Sequence, residues 1–410
     1  MPGAVSPLAP AGFPGLPPIA GVRLGSARCG IRYRDRRDLM VAVLDPGTAV
    51  AGVFTRSLTP GAPVDWCREC LPRGRARAVV VNSGNANVFT GRAGRVTVAA
   101  TAEEAARLLG CDAREVYVSS TGVIGEALAA DKIVAALAIA FAEAAPANWR
   151  DAAEAIMTTD TFAKAATASA AIDGTRVTIN GIAKGSGMIA PDMATMLAYV
   201  FTDASIPAPV LQVLLRNATE RSFNCITVDG DTSTSDTVLL LATGKAGHAS
   251  PASALDKRLM DFRRALDRVM IDLAQQIVRD GEGAEKFVTI AVAGAASHRA
   301  ARRIGLAVGN SPLVKTAIAA GDANWGRIVM AVGKAGEKAD RDRLSISVGG
   351  VRIAENGAPV VGYDEAPVAR HMAGRDIAIA IDLGLGRGRA TVWSCDLTHR
   401  YIDINGSYRS

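Results

Sequence analysis

One stretch holds the residues best suited to chemistry: KGSGMIAPDMATMLAYVF, Lys184 to Phe201. Its second half reads as a buried strand, an apolar run of Met193, Ala194, Met196, Leu197, Ala198, Tyr199, Val200 and Phe201. Thr195 interrupts that run, just after a Gly-Ser-Gly turn and an Ala-Pro-Asp step. A threonine at a newly made chain end carries its own α-amine, whose pKa of about 8 suits a general base. The hydroxyl attacks and the amine takes its proton, directly or through water, so no histidine is required. The peptide bond before the threonine must first be cut. A strained turn presents that carbonyl to the threonine's own hydroxyl, and an N-to-O acyl shift followed by hydrolysis frees the amine. Gly185 and Gly187 permit unusual backbone angles, and Ala194 is small enough to leave its carbonyl accessible. The competing reading is a strand threonine hydrogen-bonded in a core, and residue types alone leave both open.

Other chemistries find less support. GxxxxGK[ST] is absent, so there is no P-loop, and GLGRG (Gly384–Gly388) lacks dinucleotide-binding spacing. DGDTSTSD (Asp229–Asp236) resembles a calcium loop, but Thr234 stands at its sixth position and Leu240 at its twelfth, where glycine and glutamate are needed. RRIGLA (Arg302–Ala307) is a loose match to a coenzyme pyrophosphate loop, short enough to be chance. There is no G-x-S-x-G elbow, and His248, His298, His371 and His399 are scattered. Cys67 and Cys70 form a lone CxxC with no second pair to complete a zinc site. It reads as two thiols in a loop near Trp66, and no metal is expected.

The elements that must position Thr195 alternate. Leu39–Thr55 reads as two strands around an Asp-Pro-Gly turn. A buried strand in Ala76–Asn87 runs into a polar loop, and a helix follows over Val96–Leu109 with Gly110 as its stop. Glu115–Glu126 repeats the scheme, ending in a Ser-Ser-Thr-Gly loop. Helices are expected at Asp131–Ala144, Asn148–Met157, Ala208–Ser222, Ala254–Arg279 and Ser311–Ala320. A hairpin is expected around Asp173–Gly174, a strand at Thr237–Ala242, and short strands over the last ~70 residues. The fold class is mixed α/β, an α+β sandwich, with a doubly wound parallel sheet the weaker alternative. The break at Gly185–Ala194 is not a linker, so the halves form one intertwined unit.

Composition is that of an ordinary globular protein. The chain has 410 residues, 49% hydrophobic and 21% charged, enough for a sizeable core. Its net charge of +6 is dispersed, and RYRDRRD (Arg32–Asp38) and ADRDR (Ala339–Arg343) interleave bases with acids. These read as solvated loops, and no nucleic-acid partner is expected. No 18-residue uncharged apolar run exists, so no membrane span is expected, and a cytoplasmic location is. Residues 1–20, rich in Pro, Gly and Ala, are expected to be a disordered lead-in.

Beyond these residue-level readings, KGSGMIAPDMATMLAYVFTDA resembles the cleavage site of the ornithine acetyltransferases, the glutamate N-acetyltransferases that act with N-acetylornithine. AVAGVFTRS, AVVVNSGNANVFTG, VSSTGVIGE, MTTDT, FNCITVDGDTSTSD, RDGEGAEKF, DANWGRI and INGSYRS resemble further signatures of that family, in family order, over Gly21–Ser410. The resemblance implies self-cleavage between Ala194 and Thr195 into an α chain (21–194 after the lead-in) and a β chain (195–410). It also implies a heterotetramer of two α and two β chains and a self-processing threonine-nucleophile fold shared with certain aminopeptidases. It implies Thr195 as nucleophile and Thr121 with Gly122 as the oxyanion pair. It implies Thr161, Lys184, Thr195, Glu282, Asn405 and Ser410 as the substrate-binding set. Glu285 stands where threonine is common and Ser235 where asparagine is common, neither in that set. The implied activity moves acetyl from N-acetylornithine to glutamate by ping-pong catalysis through an acetylated Thr195. No cofactor is bound, and acetyl-CoA is a candidate co-substrate. The alternative is an N-terminal-threonine amidohydrolase or aminopeptidase, in which water takes the acyl group.

Overall fold

The structure, a computed structural model, describes residues 4–190 and 196–406. Ala194, Thr195 and Ser410 lie outside the described residues. Three sheets carry the described strands. The first has four strands, in the order β1 (Val22–Ala27), β2 (Leu39–Leu44), β4 (Ala78–Asn85) and β5 (Val116–Val123). The second has five: β3 (Ala49–Phe54), β9 (Thr237–Ala242), β8 (Leu197–Thr202), β7 (Thr175–Lys184) and β6 (Lys164–Ile172).

These two sheets stack face to face between helices. Leu39 and Val41 point to the helices Gly91–Leu109 and Ala130–Ala142, while Met40, Ala42 and Leu44 meet Leu197, Tyr199 and Phe201 of the second sheet. On the far side, Ala198, Val200, Val238 and Leu240 pack on the helices Ala208–Arg221 and Met260–Arg279. The result is a helix–sheet–sheet–helix sandwich. It explains why these strands read as unbroken apolar runs: both faces of each are buried, so alternation disappears.

The Asp-Pro-Gly turn after β2 does not close a hairpin. It carries the chain from one sheet to the other, so that β2 pairs with β1 and β4 while β3 pairs with β9. Leu44 and Val50, at its two ends, meet in the core between the sheets. The Asp173–Gly174 hairpin forms as expected, with both residues at positive φ.

A second lobe is a six-stranded sheet in the order β13 (Ala358–Pro359), β12 (Val351–Glu355), β11 (Ser345–Val348), β14 (Asp376–Asp382), β10 (Phe287–Ala295) and β15 (Gly388–Cys395). Ile377, Ile379 and Ile381 face helices on one side only, and the intervening Asp376, Ala378, Ala380 and Asp382 are exposed.

Several expectations are corrected. Residues 4–20 are not a disordered lead-in: Leu8 and Ile19 are buried, and the Asn180 amide donates to the Pro17 carbonyl at 2.7 Å. Their proline-rich sequence lies extended against apolar ground that would otherwise be exposed. Cys67 and Cys70 sit on the helix Ala62–Cys70 rather than in a loop. Burial pushes the Cys67 thiol up, and no disulfide forms. Arg302–Ala307 lies inside the helix His298–Gly309, which the sequence reading missed, so its amides serve the helix and not a phosphate. The long helix begins at Met260, because a short turn capped by Asp256 on the Arg258 N–H intervenes. The C-terminal region contains the helices Glu365–Met372 and His399–Gly406 among its strands.

Candidate active site

A cleft of about 660 Å³ opens at the ends of β5 and β7. Five expected site residues line it: Thr121, Gly122, Lys184, Glu282 and Asn405. They come from four separate stretches of chain. None of the four histidines lines it.

Thr121 and Gly122 stand where the parallel β4–β5 ladder loses register, with Asn85 opposite both Thr121 and Val123. Such irregularities re-aim the backbone at strand ends. Gly122 has φ of 131°, and a Cβ there would lie 2.3 Å from the Gly84 carbonyl carbon, so only glycine fits. The asparagines of NSGNAN build the neighbouring loop. Asn82 donates to the Asn85 carbonyl at 2.9 Å, and the Asn87 N–H donates to the Asn85 side chain at 2.8 Å.

Lys184 ends β7. Its ammonium donates to the Thr121 hydroxyl at 3.2 Å and faces Asp160 at 4.0 Å. Asp160 is wholly buried and also accepts from Lys164 at 2.7 Å, the Gly185 N–H at 2.6 Å and the Thr158 N–H at 3.0 Å. Lys164 bridges on to Asp280 at 2.5 Å. Two lysines thus balance two aspartates behind the cleft, which is how buried charge is tolerated. Burial alone would raise the Asp160 pKa, but the two lysines outweigh it and hold the carboxyl well below the usual range. For Lys184 burial wins, and its pKa falls below that of a free lysine.

Thr161 does not line this cleft. Its N–H and hydroxyl both donate to Asp280, and its oxygen accepts from the Ser6 N–H at 2.9 Å. It ties the amino-terminal segment to the buried charges, while Thr158 and Thr159 reach the cleft instead.

Glu282 sits opposite, accepting from the Asn405 amide at 2.8 Å. Ser186 fixes this loop: its hydroxyl donates to the Asp280 carbonyl at 2.6 Å, and its carbonyl accepts from the Glu282 N–H at 3.2 Å. A Cβ on Gly187 would lie 2.5 Å from the Glu282 carboxylate, so the glycine makes room for the acid.

The segment 229–236 has a role that the sequence reading missed. Asp229 accepts from the Met188 N–H at 2.6 Å and the Ile189 N–H at 2.9 Å. Asp236 accepts from the Met196 N–H at 2.8 Å. The two end aspartates of DGDTSTSD therefore hold the chain on both sides of 191–195. Among the described residues no group of three or more His, Cys, Asp or Glu is arranged to hold a metal. The density of Asp, Ser and Thr was the available signal, but only the fold shows that main-chain amides are its partners. Asp160, Lys164 and Asp280 gave no signal of their own.

The geometry permits acyl transfer at this cleft: a hydroxyl and a strand-end backbone at one side, a carboxylate with an amide at the other, and a buried cation between. Comparison with known proteins bears on the chemistry. The ArgJ family model matches residues 23–410. The arginine biosynthesis bifunctional protein ArgJ of Gluconobacter oxydans is 59% identical, over 99% of this chain and 96% of that one. Its counterpart in Bradyrhizobium diazoefficiens is 57% identical over the whole of both chains. Among solved structures, an ornithine acetyltransferase from Mycobacterium tuberculosis in complex with ornithine is 39% identical. It covers 42% of this chain and 92% of that one, with a TM-score of 0.38.

Proposed function

The chain belongs to the ArgJ family, and from that membership we propose how its cleft works. The protein is a glutamate N-acetyltransferase of arginine biosynthesis, moving acetyl from N-acetylornithine to glutamate. Thr195 is the nucleophile. In maturation its hydroxyl attacks the Ala194 carbonyl, the C–N bond breaks, and the nitrogen takes up the hydroxyl proton. Water then hydrolyses the ester, leaving an α chain ending at Ala194 and a β chain beginning with a free Thr195 amine. In catalysis that amine takes the hydroxyl proton as oxygen attacks the acetyl carbonyl. It returns the proton to the departing ornithine amine. Glutamate enters, attacks the acetyl ester and leaves as N-acetylglutamate.

Thr121 and Gly122 form the oxyanion site, a contribution of about 3 kcal/mol where one donor is lost in comparable enzymes. Glu282, steadied by Asn405, takes the side-chain ammonium of ornithine. Lys184 and the terminal Ser410 complete the substrate set, while Thr161, which the family resemblance also implies there, acts from behind the cleft through Asp280. Acetyl-CoA serves as a second donor, and the mature protein is a cytoplasmic heterotetramer of two α and two β chains.

The observation that carries this reading is the meeting of Thr121, Gly122, Lys184, Glu282 and Asn405 in one cleft. A donor and acceptor matrix, run beside intact-mass analysis, tests it. Two masses summing to the 42.4 kDa chain plus one water are expected, with ornithine release that depends on glutamate. Ornithine release at the same rate without glutamate would favour the amidohydrolase, and an uncut active chain would exclude the threonine-amine mechanism.

A further inference from the structure

The motif RYRDRRD (Arg32–Asp38) is unused by the mechanism above, and it is not a free surface loop. Asp38 is buried and accepts from the Cys29 N–H at 2.6 Å and the Ile31 N–H at 2.9 Å, which fixes the turn that displays Arg32. Arg36 stacks on Tyr33, its guanidinium carbon 3.8 Å from the ring centre, and donates to the Ser83 hydroxyl at 3.4 Å. These contacts lay the loop over the end of β4. A Cβ on Gly84 would stand 3.0 Å from the Arg32 Cβ, and Gly84 pairs with Gly122 in the β4–β5 ladder. Arg32 therefore rises beside the proposed oxyanion pair, and it lines the same cleft as Thr121, Gly122, Lys184 and Glu282.

The charges lining that cleft are balanced in number but unequally engaged. Among the described lining residues the cations are Lys184 and Arg32, and the anions are Glu126 and Glu282. Lys184 is buried, bonded to Thr121 and facing Asp160, and Glu282 is held by Asn405. Arg32 has a looser partner. Its guanidinium is 3.8 Å from the Glu126 carboxylate, beyond hydrogen-bond distance, and the two side chains are 42% and 60% exposed. An ion pair of that kind contributes little and yields readily to a better partner.

We propose that Arg32 is the specificity residue for the acceptor, exchanging Glu126 for the side-chain carboxylate of glutamate. This rests on the transfer from N-acetylornithine to glutamate proposed above. Both substrates carry an α-carboxylate, which one cation, Lys184, balances. Only glutamate carries a second carboxylate, and its oxygens stand as many bonds from the α-carbon as the side-chain nitrogen of ornithine. In the seat that suits the ammonium, that carboxylate would meet the like charge of Glu282. One cleft serves a cationic and an anionic side chain when each finds its own counter-charge: Glu282 for the ammonium, Arg32 for the carboxylate. The planar guanidinium matches a carboxylate with two parallel N–H donors, which Glu126 at its present distance does not engage.

The test compares wild type, Arg32→Gln and Arg32→Lys in kcat/KM for N-acetylornithine, for glutamate and for glutamine, which has the shape of glutamate without its side-chain charge. Wild type is expected to prefer glutamate to glutamine. Arg32→Gln should lose kcat/KM for glutamate on the order of 10- to 100-fold, as when a charge-assisted hydrogen bond is removed, with glutamine and N-acetylornithine within about threefold. Arg32→Lys keeps the charge but not the fork, so it should retain part of the preference. An unmoved glutamate-to-glutamine ratio in Arg32→Gln overturns the proposal. So does a fall shared equally by all three substrates, which marks general damage, and so does a Lys variant that discriminates no better than the Gln variant. Wild type separates the two layers. If it makes no N-acetylglutamate from N-acetylornithine and glutamate, the transferase reading sinks, whereas transfer with an unmoved ratio in Arg32→Gln sinks only the role of Arg32.

Discussion

Lys184 and Thr121 are joined by a 3.2 Å hydrogen bond in which the ammonium donates to the hydroxyl oxygen. The bond connects β7 of the second sheet to β5 of the first, across the interface between the two sheets. Because the Thr121 oxygen accepts from Lys184, its own proton is free to point into the cleft. In the mechanism proposed above, Lys184 thereby orients the oxyanion donor as well as adding positive charge beside it. Thr121→Val and Lys184→Met are each expected to lower kcat on the order of 10²-fold. The double variant should fall only a few-fold further, because both changes disable one device. Additive losses in this double-mutant cycle would mean that Lys184 acts on the substrate independently of Thr121.

The same lysine sets an alkaline limit. Burial lowers its pKa, and Asp160 partly restores it. Lys184 therefore sheds its proton at a lower pH than a free lysine does, and transfer that needs the charge declines on that side. Asp160→Asn removes the attraction, so the alkaline limb of kcat/KM should shift to still lower pH. The comparison of pH–rate profiles fails the prediction if the limb stays put or moves upward.

Gly187→Ala tests the seat of Glu282. The added Cβ would lie 2.5 Å from the carboxylate, which must swing away from Asn405. A lost hydrogen bond to a charged group is worth about 1.5–3 kcal/mol. KM for N-acetylornithine should rise on the order of tenfold or more while the protein still folds. An unchanged KM for the diamino substrate would place its recognition elsewhere.

Thr161→Ala separates a structural role from a binding one. The hydroxyl is engaged by Asp280 and Ser6, away from the cleft lining. The variant should lose stability, seen as a Tm lower by roughly 2–4 °C for each kcal/mol lost, with KM little changed. A KM effect without a Tm effect would return Thr161 to the substrate set.

Removal of residues 1–9 tests whether the amino-terminal segment supports the site from behind. It takes away buried Leu8, the hydrogen bonds from Ser6 to Thr161 and to the Arg279 carbonyl, and the Pro7 carbonyl that accepts from Arg375 at 2.6 Å. Thermal unfolding should begin several degrees earlier, with the Thr161–Asp280 region exchanging amide hydrogens first. A Tm equal to that of the full chain would show the segment to be dispensable.

Local patterns made much of the fold readable. β9 falls at Thr237–Ala242 as read, and the hairpin at Asp173–Gly174 forms because the turn chemistry is local. The helix Gly91–Leu109 ends at Gly110 in the left-handed region, as its sequence suggests. The helix His298–Gly309 was obscured by arginines that suggested a phosphate loop, although its apolar spacing was present. Residues 4–20 looked disordered because proline-rich composition says nothing of the apolar surface waiting to receive it.

At the site, the division follows the range of the forces involved. The sequence by itself supplied the candidate reagents: a threonine after a small residue and a glycine-rich turn, which residue types make chemically able to act, and a Ser-Ser-Thr-Gly strand end and an acid in Asp-Gly-Glu-Gly, which the family resemblance implies. Each of these chemistries is carried by neighbours in the chain. The tertiary structure alone decided that Lys184 bonds Thr121, that Thr161 turns to Asp280, and that Asp229 and Asp236 grip the two flanks of 191–195. Those pairings join residues 40 to 119 positions apart. A buried charge or amide must find a partner within about 3 Å, and which partner lies there is fixed only when the sheets stack and exclude water.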